Sequence, residues 1–171
     1  MPTVGAVKPY RVLFVCMGNI CRSPAAEGTF RHLLKQEGLE KRIECDSAGS
    51  LDFHTGAPPD ARMRSAARER GFNLTGAARQ IGLEDLARFD LILCMDNDNL
   101  EYVEQLAGER KHRARVRLFC EFVSDSDARE VPDPYHGGSD GFDAVMDLLE
   151  DGCANLLEHA RRKIGLDAKV K

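Results

Sequence analysis

The fold of this chain is decided by residues 12–24, VLFVCMGNICRSP. Residues 12–15 form a short continuous apolar run, which is typical of a parallel strand that is buried on both faces. Pro24 suits the first turn of a helix, and Ser23 suits the N-cap position before it. The stretch therefore predicts a buried strand that is joined by a short loop to a helix, with the helix N-terminus facing the loop.

The loop between Cys16 and Arg22 combines the features of an anion-binding site. Gly18 and Asn19 tolerate left-handed backbone angles, so successive N–H groups can turn inward, and the helix dipole adds positive charge. Arg22 can hold two phosphate oxygens with a bidentate fork. The same positive charges stabilise a thiolate at Cys16, which makes this residue a candidate nucleophile. Ser23 can donate its hydroxyl to that thiolate.

The string from Cys16 to Pro24 resembles the phosphate-binding loop of the low-molecular-weight protein tyrosine phosphatases, and the resemblance extends from about residue 11 to residue 164. Many phosphatases share the pattern Cys-x5-Arg, but a second cysteine directly before the arginine points to this family. The resemblance implies a metal-free, cysteine-dependent phosphomonoesterase that acts on phosphotyrosine-containing proteins. It assigns phosphate binding to five loop residues, which are Met17, Gly18, Asn19, Ile20 and Cys21.

The composition is that of an ordinary globular protein, with 171 residues of which 43% are hydrophobic and 30% are charged. The net charge of −4 gives no reason to expect nucleic-acid binding. No apolar run approaches membrane-spanning length, and residues 1–10 lack the apolar core of a signal peptide. We therefore expect a cytoplasmic protein without a membrane partner, either a monomer or weakly self-associating. Residues 1–10 are expected to be a short flexible segment, residues 11–165 the phosphatase domain and residues 166–171 a frayed tail.

Apolar strand patterns alternate with helical patterns along the chain. Strands are predicted at residues 12–15, 43–45, 91–94 and 116–119, and helices at residues 24–37, 60–70, from Asp96 and from Gly141. This alternation predicts a parallel sheet that is covered on both faces. The expected fold class is α/β, a single-domain three-layer sandwich with a four-stranded parallel sheet and helices on both faces.

A second stretch with chemical potential, residues 131–138, lies between the fourth strand and the last helix. Two prolines flank Asp133 and hold it on a stiff, non-helical segment. Asp-Pro is also common in surface turns, but the family resemblance implies that Asp133 is the general acid. Protonation of the leaving phenolate by such an acid typically accelerates cleavage by roughly 10²- to 10⁴-fold.

The resemblance also implies a wall of side chains around the substrate ring. Tyr135 matches an aromatic residue that flanks the ring, and Phe53 falls where relatives carry an aromatic residue of the cleft. The alternative for Phe53 is a core position that anchors its loop. His136 occupies a site at which relatives often have a second tyrosine, so the outer cleft is expected to differ. Gly76 stands where many relatives have a histidine that supports the phosphate loop through its asparagine, which here is Asn19.

No metal or other cofactor is expected. The acidic cluster at residues 96–99 lacks the ligand spacing and the turn glycine of an EF-hand calcium loop, so helix capping is the favoured interpretation. The other histidines show no shared metal-ligand spacing and are interpreted as surface residues; they are His32, His54, His112 and His159. Cysteines in apolar patterns are predicted to lie in the core; they are Cys45, Cys94, Cys120 and Cys153.

Two other functions share parts of this pattern. An arsenate reductase has the same loop and fold, but it needs a resolving cysteine within reach, and no closely spaced pair follows Cys94. A phosphopeptide-binding module without turnover would not need an acid at Asp133. The expected function is therefore hydrolysis of phosphotyrosine through a cysteinyl-phosphate intermediate.

Cys21 lies in the same arc as Cys16, and the resemblance implies a protective role for it. A sulfenic acid formed on Cys16 by peroxide would be trapped as a disulfide, provided that the two Cβ atoms approach to roughly 3.5–4.5 Å. The alternative is that Cys21 only packs beneath the loop. Redox regulation is thus an expectation that depends on how the loop folds.

Overall fold

A parallel four-stranded sheet forms the centre of the protein in a computed structural model that describes residues 7–135 and 137–166. The strands are β1 (Tyr10–Cys16), β2 (Ile43–Gly49), β3 (Leu91–Cys94) and β4 (Arg115–Leu118). They lie in the order β2-β1-β3-β4, and every neighbouring pair is parallel. The predicted α/β class and the four-stranded parallel sheet are confirmed.

Helices pack on both faces of this sheet. In the described part of the chain they are α1 (Arg22–Gln36), α2 (Ala61–Glu69), α3 (Leu83–Arg88), α4 (Asn97–Ala107) and α5 (Ser139–Lys163), with a 3₁₀ turn at Phe119–Phe122. Alternate residues of β1 face two separate cores. Phe14 packs with residues of α1 and α5, whereas Leu13 packs with residues of α3 and α4. Burial of each such side chain stabilises the fold by about 1.5–3 kcal/mol, which explains the continuous apolar run in β1.

The start of α1 differs from the prediction. The helix begins at Arg22, and Cys21 takes the N-cap position without a side-chain cap hydrogen bond. The prediction that Ser23 caps this helix is wrong, because Ser23 lies inside the first turn and its hydroxyl contacts the thiol of Cys16. The short helix α3 and the 3₁₀ turn were not predicted, since neither is long enough to show a clear apolar period.

The carboxyl ends of β1 and β2 meet beneath the loop that follows β1. Cys16 is in register with Gly49, and a Cβ on Gly49 would lie 2.7 Å from the carbonyl oxygen of Met17. Only glycine therefore lets β2 come this close to the loop. The amide of Ser50 then donates to the carbonyl of Cys16 at 2.9 Å, and the amide of Leu51 donates to that of Met17 at 2.9 Å.

The predicted end segments lie partly outside the described residues. These are residues 1–6 of the predicted segment 1–10 and residues 167–171 of the predicted tail. The last helix, α5, ends at Lys163. Within the part of the chain that the structure describes, no helix combines the length and the apolar character that are needed to cross a bilayer.

Candidate active site

The phosphate loop is shaped by one left-handed residue and one close contact. Asn19 has a φ angle of 56°, as expected for an asparagine in a tight arc. Gly18 does not adopt a positive φ, contrary to the prediction, but a Cβ at this position would lie 2.9 Å from Cδ2 of His54. A side chain at position 18 would thus displace the ring of His54, and Asn19 supplies the left-handed backbone conformation of the loop.

The side chain of Asn19 ties the loop to its surroundings. Its Nδ2 donates to the hydroxyl oxygens of Ser23 and Ser47, at 2.9 Å each, and its Oδ1 accepts from the amide of Arg79 at 3.0 Å. All of these bonds are short, and Asn19 is buried. These bonds hold Asn19 in place although position 76 is a glycine and not the histidine of many relatives.

The loop also has donors for an anion. Among the residues that the structure describes, no backbone N–H of residues 17–22 donates to a carbonyl or to a side chain. These groups surround the end of β1 and the first turn of α1, where the helix dipole is positive. Consecutive amides of this kind form a nest for a phosphate-like dianion.

Cys16 and Ser23 form a hydrogen-bonded pair beneath this loop. The Sγ atom of Cys16 lies 3.0 Å from the Oγ atom of Ser23, and both residues are buried. Ser23 already accepts a hydrogen bond from Asn19, so its own proton is available to donate to the sulfur. The carbonyl of Ala48 is a more distant acceptor at 3.5 Å. The hydroxyl of Ser23 is thus placed to donate a hydrogen bond to the sulfur of Cys16.

Arg22 is fixed by groups from two distant segments. Its Nη1 donates to Oδ2 of Asp96 at 2.7 Å and to the carbonyl of Val131 at 2.8 Å. Burial alone would lower the pKa of Arg22, but the charges of Cys16, Asp96 and Asp133 raise it, so the guanidinium stays protonated. With Nη1 anchored, the remaining N–H groups can meet phosphate oxygens in a defined orientation.

Asp133 lies at the rim of the same site. Its Oδ1 accepts from the amide of Tyr135 at 3.0 Å, and its Oδ2 lies 3.7 Å from Nη2 of Arg22. The carboxyl is about one-third exposed, in contrast to the buried Arg22. Asp133 can therefore exchange protons with solvent and still reach a group that is bound above the loop.

These side chains enclose a cavity of about 220 Å³. Its lining consists of Cys16, Met17, Gly18, Ile20, Cys21, Arg22, His54, Asp133 and Tyr135. Cys16 and Arg22 contribute the polar groups of the phosphate loop, and Tyr135 and His54 contribute rings whose centroids are 6.2 Å apart. A cavity of this shape can hold a flat ring with a phosphate at its inner end.

Of the residues that were predicted to form the wall around the substrate ring, some line the cavity and some do not. Tyr135 lines the cavity, whereas Phe53 is 77% exposed and is not among the lining residues. The neighbouring His54, which was interpreted as a surface residue, lines the cavity instead. The prediction for His136 lies outside the described residues.

Sequence reasoning missed the contribution of Asp96 to this site. Asp96 caps α4 as predicted, since its carboxylate accepts from the amide of Asn99 at 2.8 Å. Its other oxygen holds Arg22, which is 74 residues away in sequence. The available signal was that Asp96 lies two residues after a buried strand, β3, that neighbours β1. The carboxyl ends of adjacent parallel strands meet at the same edge of a sheet.

Cys21 differs from Cys16 in its electrostatic environment. Burial raises the pKa of the Cys21 thiol well above its usual range, and the charges of Cys16, Asp133 and Asp60 raise it further. Cys21 is therefore a protonated thiol at neutral pH. The other cysteines are buried and free as well, in agreement with the core positions predicted for them; they are Cys45, Cys94, Cys120 and Cys153. Within residues 7–135 and 137–166, no group of three His, Cys, Asp or Glu side chains could hold a metal ion.

A buried cysteine inside an anion-binding loop, with an arginine at the end of that loop and a carboxyl at the rim, is typical of a cysteine-dependent phosphatase. Residues 11–166 match the family model described as low molecular weight phosphotyrosine protein phosphatase. The chain belongs to this family, whose members are hydrolases.

Similar proteins support the assignment over most of the chain. A low molecular weight protein-tyrosine-phosphatase of Bacillus subtilis is 41% identical over 153 residues, which cover 89% of this chain and 96% of the relative. The crystal structure of a protein tyrosine phosphatase from Entamoeba histolytica superposes with a TM-score of 0.86 at 38% identity, covering 90% and 98% of the two chains. A Drosophila arginine phosphatase superposes with a TM-score of 0.81 at 32% identity, covering 86% and 96%.

Proposed function

We propose that this phosphatase hydrolyses phosphotyrosine in protein substrates and that Cys16 forms a cysteinyl-phosphate intermediate. The observation that carries the proposal is the arrangement around the Cys16 sulfur. Ser23 contacts the sulfur at 3.0 Å, the loop amides are available as donors, and Arg22 and Asp133 line the same cavity. The site thus contains a nucleophile (Cys16), groups that stabilise negative charge (the loop amides and Arg22) and a proton donor (Asp133).

In the first step the Cys16 thiolate attacks phosphorus in line with the leaving oxygen. A sulfur–phosphorus bond forms while the bond to the tyrosyl oxygen breaks, and Asp133 donates its proton to that oxygen. The loop amides of Met17, Gly18, Asn19, Ile20 and Cys21, together with Arg22, hold the three equatorial oxygens. Such preorganised donors stabilise the transition state more than the ground state.

In the second step water attacks the cysteinyl phosphate. Asp133, now ionised, accepts a proton from the water, and the sulfur–phosphorus bond breaks. Ser23 donates a hydrogen bond to the thiolate that is released, which makes Cys16 a better leaving group. Inorganic phosphate then leaves, and the free enzyme is restored.

The lining of the cavity favours phosphotyrosine over other phosphoryl groups. A phenyl ring can lie against Tyr135 and His54, which line the same cavity, with its phosphate at the loop, whereas the short side chain of phosphoserine would leave its phosphate above Cys16. Because one structural neighbour is an arginine phosphatase, phosphoarginine is the second substrate to consider.

Free cysteines suit a reducing compartment, so we place the protein in the cytoplasm. Its proposed partners are phosphotyrosine-containing proteins. A monomer or a weakly self-associating protein stays our prediction for its oligomeric state.

The test compares one peptide sequence that carries phosphotyrosine, phosphoserine or phosphoarginine, in buffer with a chelator. We expect kcat/KM to be about 100-fold or more higher for phosphotyrosine, the range that a positioned acid and an aromatic slot provide together. Cys16→Ser should fall below about 1% of wild-type turnover because serine is a poor nucleophile without a lowered pKa. It should still bind vanadate, since the loop and Arg22 remain.

The matched control for Cys16→Ser is Cys120→Ser, which changes a buried cysteine outside the cavity. Faster hydrolysis of the phosphoarginine peptide would replace the substrate proposed here. Turnover of the phosphotyrosine peptide by Cys16→Ser would exclude the covalent intermediate.

A further inference from the structure

The amino end of α2 touches both of the segments that carry the chemistry. The backbone amide of Asp60 donates to the carbonyl of Ile20, in the phosphate loop, at 2.6 Å. Two residues later, Nη2 of Arg62 donates to the carbonyl of Tyr135, next to the acid, at 2.8 Å. Residues 60–62 therefore connect the loop of Cys16 with the segment of Asp133.

Asp60 and Arg62 are also held to each other. The carboxylate of Asp60 caps α2 by accepting from the amides of Arg62 and Met63, at 2.8 and 3.3 Å. It also accepts from Nε and Nη2 of Arg62, at 3.3 and 3.2 Å. Partial burial raises the pKa of Asp60, but the hydrogen bonds from Arg62 and Met63 outweigh it and the pKa lies below its ordinary value. The pair is thus ionised at neutral pH.

The guanidinium of Arg62 is confined although its side chain is about half exposed. Its Cζ lies 4.8 Å from the ring centroid of Phe142 and 5.4 Å from that of Tyr135. Phe142 is buried, so it provides a fixed surface beneath the guanidinium. Stacking on a ring and a charged partner together restrict the rotamers of an arginine that would otherwise move freely.

Tyr135 connects Arg62 with the acid, Asp133. The carbonyl of Tyr135 accepts from Arg62, and its amide donates to Oδ1 of Asp133 at 3.0 Å. A shift of this peptide segment would move the Asp133 carboxyl relative to the phosphate loop. Displacement of about 1 Å in a catalytic group can lower a rate by roughly 100-fold.

We propose that Arg62, held by Asp60, is a positioning residue that sets the distance between the phosphate loop and the Asp133 carboxyl. Its catalytic consequence rests on the function proposed above. Loss of Arg62 should impair proton transfer to the leaving group and leave the phosphate loop intact, because Cys16, Ser23 and Arg22 keep their own contacts.

The experiment compares Arg62→Met with Arg68→Met. Methionine keeps apolar packing on Phe142 but cannot donate to Tyr135, and Arg68 is an exposed arginine near the end of the same helix. For Arg62→Met we expect kcat/KM to fall about 10-fold with a phosphotyrosine peptide and less than about 2-fold with an aryl phosphate whose phenol is strongly acidic. The inhibition constant of inorganic phosphate should not change. Arg68→Met should match wild type with both substrates.

Asp60→Asn provides a second variant that preserves the helix cap, because asparagine is an equally good N-cap residue. It removes the charge that orients Arg62. The fall in kcat/KM should show the same dependence on the leaving group as in Arg62→Met but should be smaller. Arg62→Lys should recover part of the loss, since lysine can donate to the carbonyl of Tyr135 but cannot stack as a plane. Melting temperatures would show whether each variant is folded.

Equal losses with both substrates, or a weaker affinity for phosphate in Arg62→Met, would assign Arg62 to the stability of the loop and overturn the proposal. Unchanged kinetics would overturn it as well. Amide hydrogen exchange at Tyr135 tests the geometry without turnover, and faster exchange is expected in Arg62→Met but not in Arg68→Met. If wild type hydrolysed no aryl phosphate, the proposed function would fail, and the exchange data would still decide whether Arg62 holds this segment.

Discussion

At the scale of single residues, Arg22 is a buried cation whose charge is balanced from three parts of the chain. Asp96 follows β3, Asp133 precedes α5, and Cys16 ends β1. Burial of a guanidinium without such partners would cost several kcal/mol. The contacts that make the site possible therefore also make a buried arginine compatible with folding.

The wall of the cavity gives a prediction at this scale. His54→Ala should raise KM for phosphotyrosine peptides by about 2- to 10-fold, because an aromatic contact is worth roughly 0.5–1.5 kcal/mol. His54→Phe should keep KM near the wild-type value. Phe53→Ala should have a smaller effect than His54→Ala, since Phe53 is 77% exposed. Steady-state kinetics with one peptide would decide, and a larger effect of Phe53→Ala would restore it to the substrate wall.

Cys21 gives a second prediction at the residue scale. Because burial keeps Cys21 protonated, peroxide should oxidise Cys16 first, to a sulfenic acid. Attack by the Cys21 sulfur would then form a disulfide and release water. Oxidised wild type should regain activity with dithiothreitol, whereas Cys21→Ser should lose activity permanently at the same peroxide dose.

Cys120→Ser serves as the control for the oxidation experiment, since Cys120 is buried outside the cavity. Its recovery should equal that of wild type. Mass spectra without a bond between Cys16 and Cys21, together with equal recovery of Cys21→Ser, would leave Cys21 as a packing residue.

The chemistry of single residues was more readily predicted from the sequence than their long-range contacts. Cys16, Arg22 and Ser23 lie within eight consecutive positions of the sequence, so their proximity follows from the chain itself. Asp96 could be predicted as a cap because capping is local, but its contact with Arg22 depends on the order of the strands. Phe53 and His54 are adjacent in sequence, and only the path of an irregular loop decides which one reaches the cavity.

At the scale of elements, the close packing of α5 on the 3₁₀ turn requires Gly152. A Cβ at this position would overlap the ring of Phe119, which is fully buried. Gly152→Ala should therefore destabilise the protein by about 1–3 kcal/mol in spite of the better helix propensity of alanine. Urea unfolding, followed by circular dichroism, measures this difference.

Gly141 is the matched control in the same helix. A Cβ there would lie 3.4 Å from the nearest side-chain atom, on Pro134, which is an ordinary contact. Gly141→Ala should be neutral or stabilise the protein by up to about 1 kcal/mol. Equal effects of the two substitutions would show that helix propensity, and not the contact with Phe119, governs position 152.

The elements that were predicted well are those with strong local signals. Residues 91–94 were predicted as a strand and form β3, and the helix predicted at residues 60–70 is α2 (Ala61–Glu69). The start of α1 could not be placed from local signals, because the hydroxyl of Ser23 could either cap the helix or contact Cys16. In the structure the hydroxyl contacts Cys16, and Ser23 lies in the first turn of the helix.

At the scale of the whole molecule, α5 and β1 are joined far from the cavity by a titratable contact. Nε2 of His159 lies 3.5 Å from the hydroxyl of Tyr10, and the imidazole packs edge-on against Phe122 at 5.2 Å between ring centroids. Burial lowers the pKa of His159, and the charges of Lys163, Arg117 and Arg162 lower it further. The folded protein therefore binds a proton at this site less readily than the unfolded chain does.

This difference fixes the sign of a pH effect on stability. Between the lowered pKa of folded His159 and the ordinary value of 6.5, the unfolded chain binds the additional proton, so the free energy of unfolding rises with pH and levels off above 6.5. His159→Gln should flatten this rise. Urea unfolding from pH 5 to pH 8 at constant ionic strength would measure it. The same slope in wild type and His159→Gln would show that other groups control stability in this range.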